Sequence, residues 1–277
     1  MTVAADIVRP TQGTAAGISF LRRGGNGQSL PLVLLHGIGS NAGSFEPLMA
    51  ALPPSSTIVA WNAPGYAASA PLTMDSPTPR DYAMALKRFL DALGLTEVVL
   101  VGHSLGALFA ASFAAQEPGR VTKLALLSPA LGYRVAPGMP LPPAVQARID
   151  EIESLGPQAL SETRAARLLH DAENKPEVLA QVRAAMAAVN KAGYAQAVRA
   201  LGAGDLAADL RHILAPTLIA VGAEDVVTPP ANAHLAFTVL ANPANYFEVP
   251  GAGHALPQED PAGVARLLAQ LIEASHG

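Results

Sequence analysis

Val98-Val99-Leu100-Val101-Gly102-His103-Ser104-Leu105-Gly106-Ala107 is the stretch on which the reading of this chain turns. Four apolar residues run into Gly-x-Ser-x-Gly, and a small-residue segment, Ala107 to Gln116, follows. The pattern is that of a buried strand turning sharply into a helix, with a serine at the apex. A nucleophilic serine must stand clear of its own backbone, so the turn is tight and its φ/ψ strained. Side chains two before and two after the serine would collide with the neighbouring strand and helix, and Gly102 and Gly106 remove those Cβ atoms. The helix that starts beside Ser104 aims its free amides and positive dipole end at any oxyanion formed there.

Working upstream, Leu32–Leu35 is wholly apolar and reads as a buried strand ending in His36-Gly37-Ile38-Gly39-Ser40. Thr57–Trp61 is a further strand leading into the loop Asn62–Ser69, and Phe45–Leu52 a short helix stopped by Pro53-Pro54. Thr78 caps a helix that runs from Pro79 through Leu93 and ends at Gly94. Ile18–Leu21 is a short strand followed by a hairpin-like turn at Gly24–Gly27, and residues 1–13 form a loose lead-in. Downstream, Val121–Leu127 is another apolar strand. Strands and helices alternate, which predicts an α/β fold: a mostly parallel sheet flanked by helices.

From Leu131 the pattern changes. A proline-rich connector precedes helices predicted at Ala144–Leu155, Gln158–Ala172, Glu177–Lys191 and about Tyr194–Leu201, with no strand-like run among them. This block, residues 132–211, is expected to be a helical lid inserted into a core made of residues 1–131 and 212–277. The core resumes with a strand at Pro216–Val221, a helix at Ala231–Ala241, a strand at Tyr246–Val249 and a helix at about Pro261–Ala274.

A serine hydroxyl needs a base within hydrogen-bond reach, and the base needs an orienting acid. Of the seven histidines, His254 follows the last strand in a glycine-flanked loop at the edge where an open α/β sheet binds ligands. His103, beside Ser104, should project elsewhere. His36, in the glycine loop after the first apolar strand, is expected to be structural or loop-ordering. His170 and His212 lie in or beside the insertion, His234 is within a helix, and His276 is in the tail. Asp225 follows the strand before His254 and is the expected acid, with Glu224 as the alternative. The oxyanion donors are expected to be the backbone N–H groups of Leu105 and Ile38, the latter freed to turn inward by Gly37 and Gly39.

Composition limits the alternatives. The chain has 277 residues, 50% hydrophobic and 14% charged, with a net charge of −4. That is too apolar for disorder, and no basic block points to nucleic acid. There is no cysteine, hence no thiolate metal site or disulfide. No His/Asp ligand cluster and no dinucleotide fingerprint is present, so neither a metal nor another cofactor is expected. Met1–Gly13 lacks the features of a signal peptide, and the longest small-apolar run is far short of the ~20 residues of a membrane span. The expectation is a cytoplasmic protein acting on a small molecule.

His-Gly-x-Gly at 36–39, Gly-His-Ser-Leu-Gly at 102–106, Gly-Ala-Glu-Asp at 222–225 and Gly-Ala-Gly-His at 251–254 together resemble the α/β-hydrolase-fold serine hydrolases, in which the triad follows the order Ser, Asp, His. The stretches Ala192–Ala197, Asp209-Leu210, Pro216–Leu218 and Thr228–Pro230 are similar to 3-oxoadipate enol-lactonases and related small esterases. The chain departs from that pattern at Asn62, where the family usually carries aspartate. The resemblance implies hydrolysis of a small ester or lactone through an acyl-enzyme. Relatives that hydrolyse C–C bonds of ring-cleavage products use the same triad; their substrates bear carboxylates, for which Arg148, Arg164, Arg167, Arg183 and Arg199 of the insertion are candidates. Other members bind ligands with little turnover. Relatives that open epoxides or displace halides use aspartate as nucleophile, and Ser104 sets those activities aside.

Overall fold

The computed structural model describes residues 9–274. Its strands are β1 (Thr11–Ala15), β2 (Ile18–Arg23), β3 (Leu32–Leu35), β4 (Ile58–Trp61), β5 (Val98–His103), β6 (Val121–Leu127), β7 (Thr217–Gly222) and β8 (Pro243–Val249). They form one sheet in the order β1-β2-β4-β3-β5-β6-β7-β8. The β1/β2 and β2/β4 pairs are antiparallel, and every pairing from β4 to β8 is parallel. The helices are α1 (Glu46–Ala51), α2 (Pro79–Ala92), α3 (Leu105–Gln116), α4 (Pro143–Arg164), α5 (Pro176–Ala187), α6 (Lys191–Ala203), α7 (Leu206–Leu210), α8 (Pro230–Thr238), α9 (Leu256–Glu259) and α10 (Pro261–Glu273).

The apolar runs are buried on both faces because each face has its own core. Val33 and Leu35 of β3, Leu100 of β5 and Ile219 of β7 pack on one side with Leu86, Phe89, Phe109 and Phe113 from α2 and α3. Their neighbours Leu34, Val101 and Leu218 pack on the other side with Leu48, Val264 and Leu268 from α1 and α10. This period of two explains why the central strands carry no polar alternation. The chain leaves β3 towards β4 on one side and returns to β5 on the other. The loops after β3 and β5 therefore flank the point where the strand order reverses, which is where open sheets place a crevice.

Four expectations need correction. The lead-in contains a strand: β1 pairs with β2 through a turn at Ala16-Gly17, both at positive φ. Gly24-Gly25-Asn26-Gly27 makes no hairpin, since β2 pairs with β1 and β4 rather than β3; a Cβ on Gly25 would lie 2.1 Å from the Ser55 carbonyl oxygen, and Gly27 sits at φ 73°, so close approach requires the one glycine and backbone conformation favours the other. The first two helices predicted after β6 are one helical run, α4, bent at Gly156 (φ 79°) and ending at Arg164 rather than Ala172. A further helix, α7, precedes β7. The expected strands all form, and Thr78 caps α2 as a capping box with Asp81. Among the described residues, no helix is long and apolar enough to cross a membrane. Residues 1–8 of the lead-in and His276 lie outside the described residues.

Candidate active site

Ser104 occupies the turn between β5 and α3 with φ 54° and ψ −116°, a left-handed conformation that L-residues rarely adopt. The turn is locked by the Ser104 N–H donating to the Leu127 carbonyl at 2.9 Å and by the Ala107 N–H donating to the Ser104 carbonyl at 3.0 Å. Both flanking glycines are sterically required. A Cβ on Gly102 would sit 2.5 Å from the Gly106 carbonyl oxygen, and one on Gly106 would sit 2.2 Å from that of Leu35.

The carboxyl ends of β5, β7 and β8 bring three predicted side chains together. His254 Nε2 lies 3.0 Å from Ser104 Oγ, and His254 Nδ1 lies 2.9 Å from Asp225 Oδ2. All three residues are buried. Asp225 Oδ1 accepts the N–H groups of Val227 and Thr228 at 2.8 and 2.9 Å, which fixes the carboxylate plane. Burial on its own would raise this carboxyl. The hydrogen bond and charge of His254, with the Thr228 and Val227 amides, overcome that and hold it down at about 2. A carboxylate so held favours the tautomer with the proton on Nδ1, leaving Nε2 free to accept the serine proton. Glu224 is exposed and makes no such contact, so the alternative acid is not the one the structure brings to His254.

The remaining histidines divide by environment. His36 Nε2 accepts the Ala63 N–H at 3.0 Å and its Nδ1–H donates to the Gly37 carbonyl at 2.8 Å, so it orders the loop, as expected. Burial lowers its pKa to about 4. His103 points towards the loop that carries His254: its Nε2–H donates to the His254 carbonyl at 2.8 Å. Burial, then the neighbouring His254, lower its pKa to about 3. His170, His212 and His234 are exposed.

The loop after β3 runs along the serine. A Cβ on Gly37 would lie 3.0 Å from Ser104 Cβ. The Ile38 carbonyl accepts the Tyr66 hydroxyl at 2.7 Å, and the Tyr66 ring packs edge-on to His36. Ile38 and Leu105 both border the cavity above Ser104, and Leu105, the first residue of α3, has no intrahelical acceptor for its N–H. Asn62 does not border that cavity. Its Oδ1 accepts the Ala42 N–H and its Nδ2 donates to Ser19 Oγ, each at 2.9 Å, in a buried cluster with Ser69.

One polar residue at the site escaped the sequence reading. The Thr228 hydroxyl lies 2.9 Å from Asp225 Oδ2, 3.1 Å from His254 Nδ1 and 3.0 Å from the Ser128 carbonyl. Only its position, three residues after Asp225 in the same turn, hinted at this. The cavity measures about 760 Å³ and is walled by the loop after β3, the loop that carries His254 and residues of α4, α5 and α6. Arg148, Arg164 and Arg167 reach its wall; Arg183 and Arg199 do not. Arg164 is paired with Glu151. Among the described residues, no group of three or more His, Cys, Asp or Glu is placed to hold a metal ion.

Known proteins resemble this chain in sequence and in fold. The chain is 37% identical over 118 residues to 2-hydroxy-6-oxononadienedioate/2-hydroxy-6-oxononatrienedioate hydrolase 2 of Pseudomonas putida, a match covering 40% of each chain. The match to the corresponding hydrolase 1 of Dechloromonas aromatica covers 36% of each chain. The chain thus spans about two fifths of the length of these curated relatives. It is 28% identical over 202 residues to the (E)-2-((N-methylformamido)methylene)succinate hydrolase of Acinetobacter baylyi, covering 72% of this chain and 74% of that one. In fold it is similar to the enol-lactonase of Burkholderia xenovorans, with a TM-score of 0.83 at 22% identity over 95% of this chain and 100% of that one. Residues 31–261 match the model of the alpha/beta hydrolase fold family. With that match running from β3 past the His254 loop, the chain belongs to the α/β-hydrolase fold family.

Proposed function

We propose that this protein is a serine hydrolase that cleaves a small carboxylic ester or lactone through an acyl-enzyme. The observation that carries the reading is the unbroken chain from Ser104 Oγ through His254 to Asp225, with links of 3.0 and 2.9 Å, opening on a cavity of about 760 Å³. His254 takes the proton as Ser104 Oγ attacks the substrate carbonyl. The N–H groups of Ile38 and Leu105 receive the oxyanion, each donor contributing on the order of 3 kcal/mol. His254 then protonates the leaving oxygen and the ester C–O bond breaks. Water, deprotonated by the same imidazole, releases the acid and restores Ser104.

In this reading residues 132–211 form a helical lid over a core of residues 1–131 and 212–277. The reading is supported by α4 to α7 standing between β6 and β7 and by the cavity wall they supply, Arg148, Leu155, Arg164, Met186 and Tyr194 among it. Ser104→Ala is expected to abolish hydrolysis of short p-nitrophenyl esters and labelling by a fluorophosphonate. Near-normal turnover in that variant would defeat the proposal. Negligible wild-type turnover, with ligand affinity unchanged in Ser104→Ala, would instead indicate a binding protein.

A second reading, hydrolysis of a C–C bond in a ring-cleavage product, is favoured by the names of the dienedioate hydrolase relatives. It is also favoured by guanidinium groups on the wall that a substrate carboxylate would meet: with Arg164 committed to Glu151, these are Arg148 and Arg167. Assaying dienoate ring-fission products against simple esters and lactones separates the two. Arg148→Met should raise KM for carboxylate-bearing substrates alone.

A further inference from the structure

The loop carrying His254 is fastened on three consecutive residues. The His254 carbonyl accepts from His103, the Gly253 N–H donates to Glu259 Oε2 at 2.8 Å, and the Ala255 N–H donates to the Leu168 carbonyl at 2.8 Å. The last two fastenings involve one segment, residues 168–175, which follows α4. Glu259 Oε1 accepts the His170 N–H and the Lys175 ammonium, each at 2.9 Å. Lys175 also donates to the Gly251 carbonyl at 2.7 Å. The Glu259 side chain is wholly buried, so its charge is committed to these partners. The packing is backbone on backbone: a Cβ on Gly253 would lie 2.7 Å from the His170 nitrogen. The segment meets the reaction space at Leu168, between Arg167 and the loop residue Ala255, which border the cavity as well.

We propose that Glu259, with Lys175, is a positioning residue that keeps His254 in register with Ser104 by clamping the base loop to residues 168–175. A substrate that orders this segment thereby orders the base. The inference rests on the reading of Ser104 and His254 as nucleophile and base. It follows from geometry: without the carboxylate, the Gly253 and His170 amides and the Lys175 ammonium share no acceptor, and the loop loses the anchor immediately before the imidazole. Displacing a reacting group by about 1 Å costs on the order of 10²-fold in rate.

The test uses the full chain carrying Glu259→Gln, Lys175→Met or Lys175→Arg, read by thermal midpoint, by kcat and KM on p-nitrophenyl acetate, and by the rate of Ser104 phosphonylation with a fluorophosphonate. In Glu259→Gln, kcat and the phosphonylation rate should fall together by about 10- to 100-fold, with KM within about twofold. Lys175→Met should fall in the same direction, and Lys175→Arg should recover the rate. A folded Glu259→Gln variant with the wild-type phosphonylation rate, or one whose loss lies in KM alone, overturns the proposal. Should Glu259→Gln not fold, Gly253→Ala makes the same separation, because its methyl group wedges the segment off the loop and leaves every charge in place. A lowered rate supports the clamp and an unchanged one overturns it. Turnover persisting in Ser104→Ala would instead locate the failure in the underlying reading.

Discussion

Replacing Asp225 by Asn tests the site at the atom that sets the tautomer of His254. Asp225 accepts two backbone amides on Oδ1, and on Oδ2 it meets the imidazole and the Thr228 hydroxyl. An asparagine has one acceptor oxygen. Turning its NH₂ towards two fixed backbone donors would leave them unpaired at about 1–3 kcal/mol each, so the amide oxygen takes the Oδ1 position. The NH₂ group then faces His254 Nδ1, which must accept, and the ring proton moves to Nε2, the atom that takes the proton of Ser104 in the proposed mechanism. The expected loss in kcat is about 10⁴-fold, equivalent to roughly 5.5 kcal/mol in the barrier, with KM little changed. The acid limb of stability changes too. The wild-type carboxyl is held at about 2 against an ordinary 3.8, so its charged form contributes on the order of 2 kcal/mol. That contribution is fully present above pH 4 and is lost as pH falls through about 2. The non-ionising variant should lack this part of the acid transition. Ester hydrolysis at neutral pH and urea denaturation across the acid range measure both effects. A variant within about tenfold of wild type, or one less impaired than Glu224→Gln, would refute the assignment.

Four further outcomes follow from the same contacts. Thr228→Val keeps the shape of the side chain and removes a hydroxyl shared by Asp225 and His254; kcat/KM should fall by about fivefold, since one such contact is worth on the order of 1 kcal/mol. Gly106→Ala places a methyl group against the Leu35 carbonyl, and its midpoint in urea should show a loss of about 3 kcal/mol or more. Asn62→Ala orphans the buried Ala42 N–H; about 1–3 kcal/mol of stability should disappear, while the Ser104 phosphonylation rate stays at the wild-type value. Gly156→Ala strains a position at φ 79° by roughly 1–2 kcal/mol, and on ester assays it should change KM before kcat.

Features stated by local spacing were legible in the sequence. The turn at Ser104 requires glycine two residues to either side because backbone lies within 2.5 Å of both missing Cβ atoms, so Gly-x-Ser-x-Gly is the steric statement of the turn itself. The strands that lead to Ser104 and Asp225 are buried on both faces and apolar except for His103 and Thr217 at their ends, and this revealed the strands and the loops that follow. β1 was not legible, because it is the outermost strand of the sheet and largely exposed. It carries Thr, Gln and Gly where an inner strand would carry Val or Leu, and only its pairing with β2 makes it a strand. Thr228 and Glu259 were hidden for a different reason. Each is an ordinary polar residue in a turn or at a helix end, and its partners are set by the packing of segments far apart in the chain.

The charge on the cavity wall shows where local reading stops. In one straight helix Glu151 and Arg164, thirteen residues apart, would stand about 20 Å from each other. Their ion pair exists only because α4 folds back on itself at Gly156. The bend also brings the residues after Gly156, from Thr163 to Leu168, to the cavity that Arg148, before it, borders as well. Periodicity alone makes the five arginines of this region equivalent. The bend divides them into one paired with Glu151, two that border the cavity with no acidic partner among the described residues, and two that do not reach its wall. The Ser104–His254–Asp225 arrangement is thus encoded in short motifs at strand ends, whereas the cavity wall depends on one glycine at positive φ whose meaning appears only once the helices are packed.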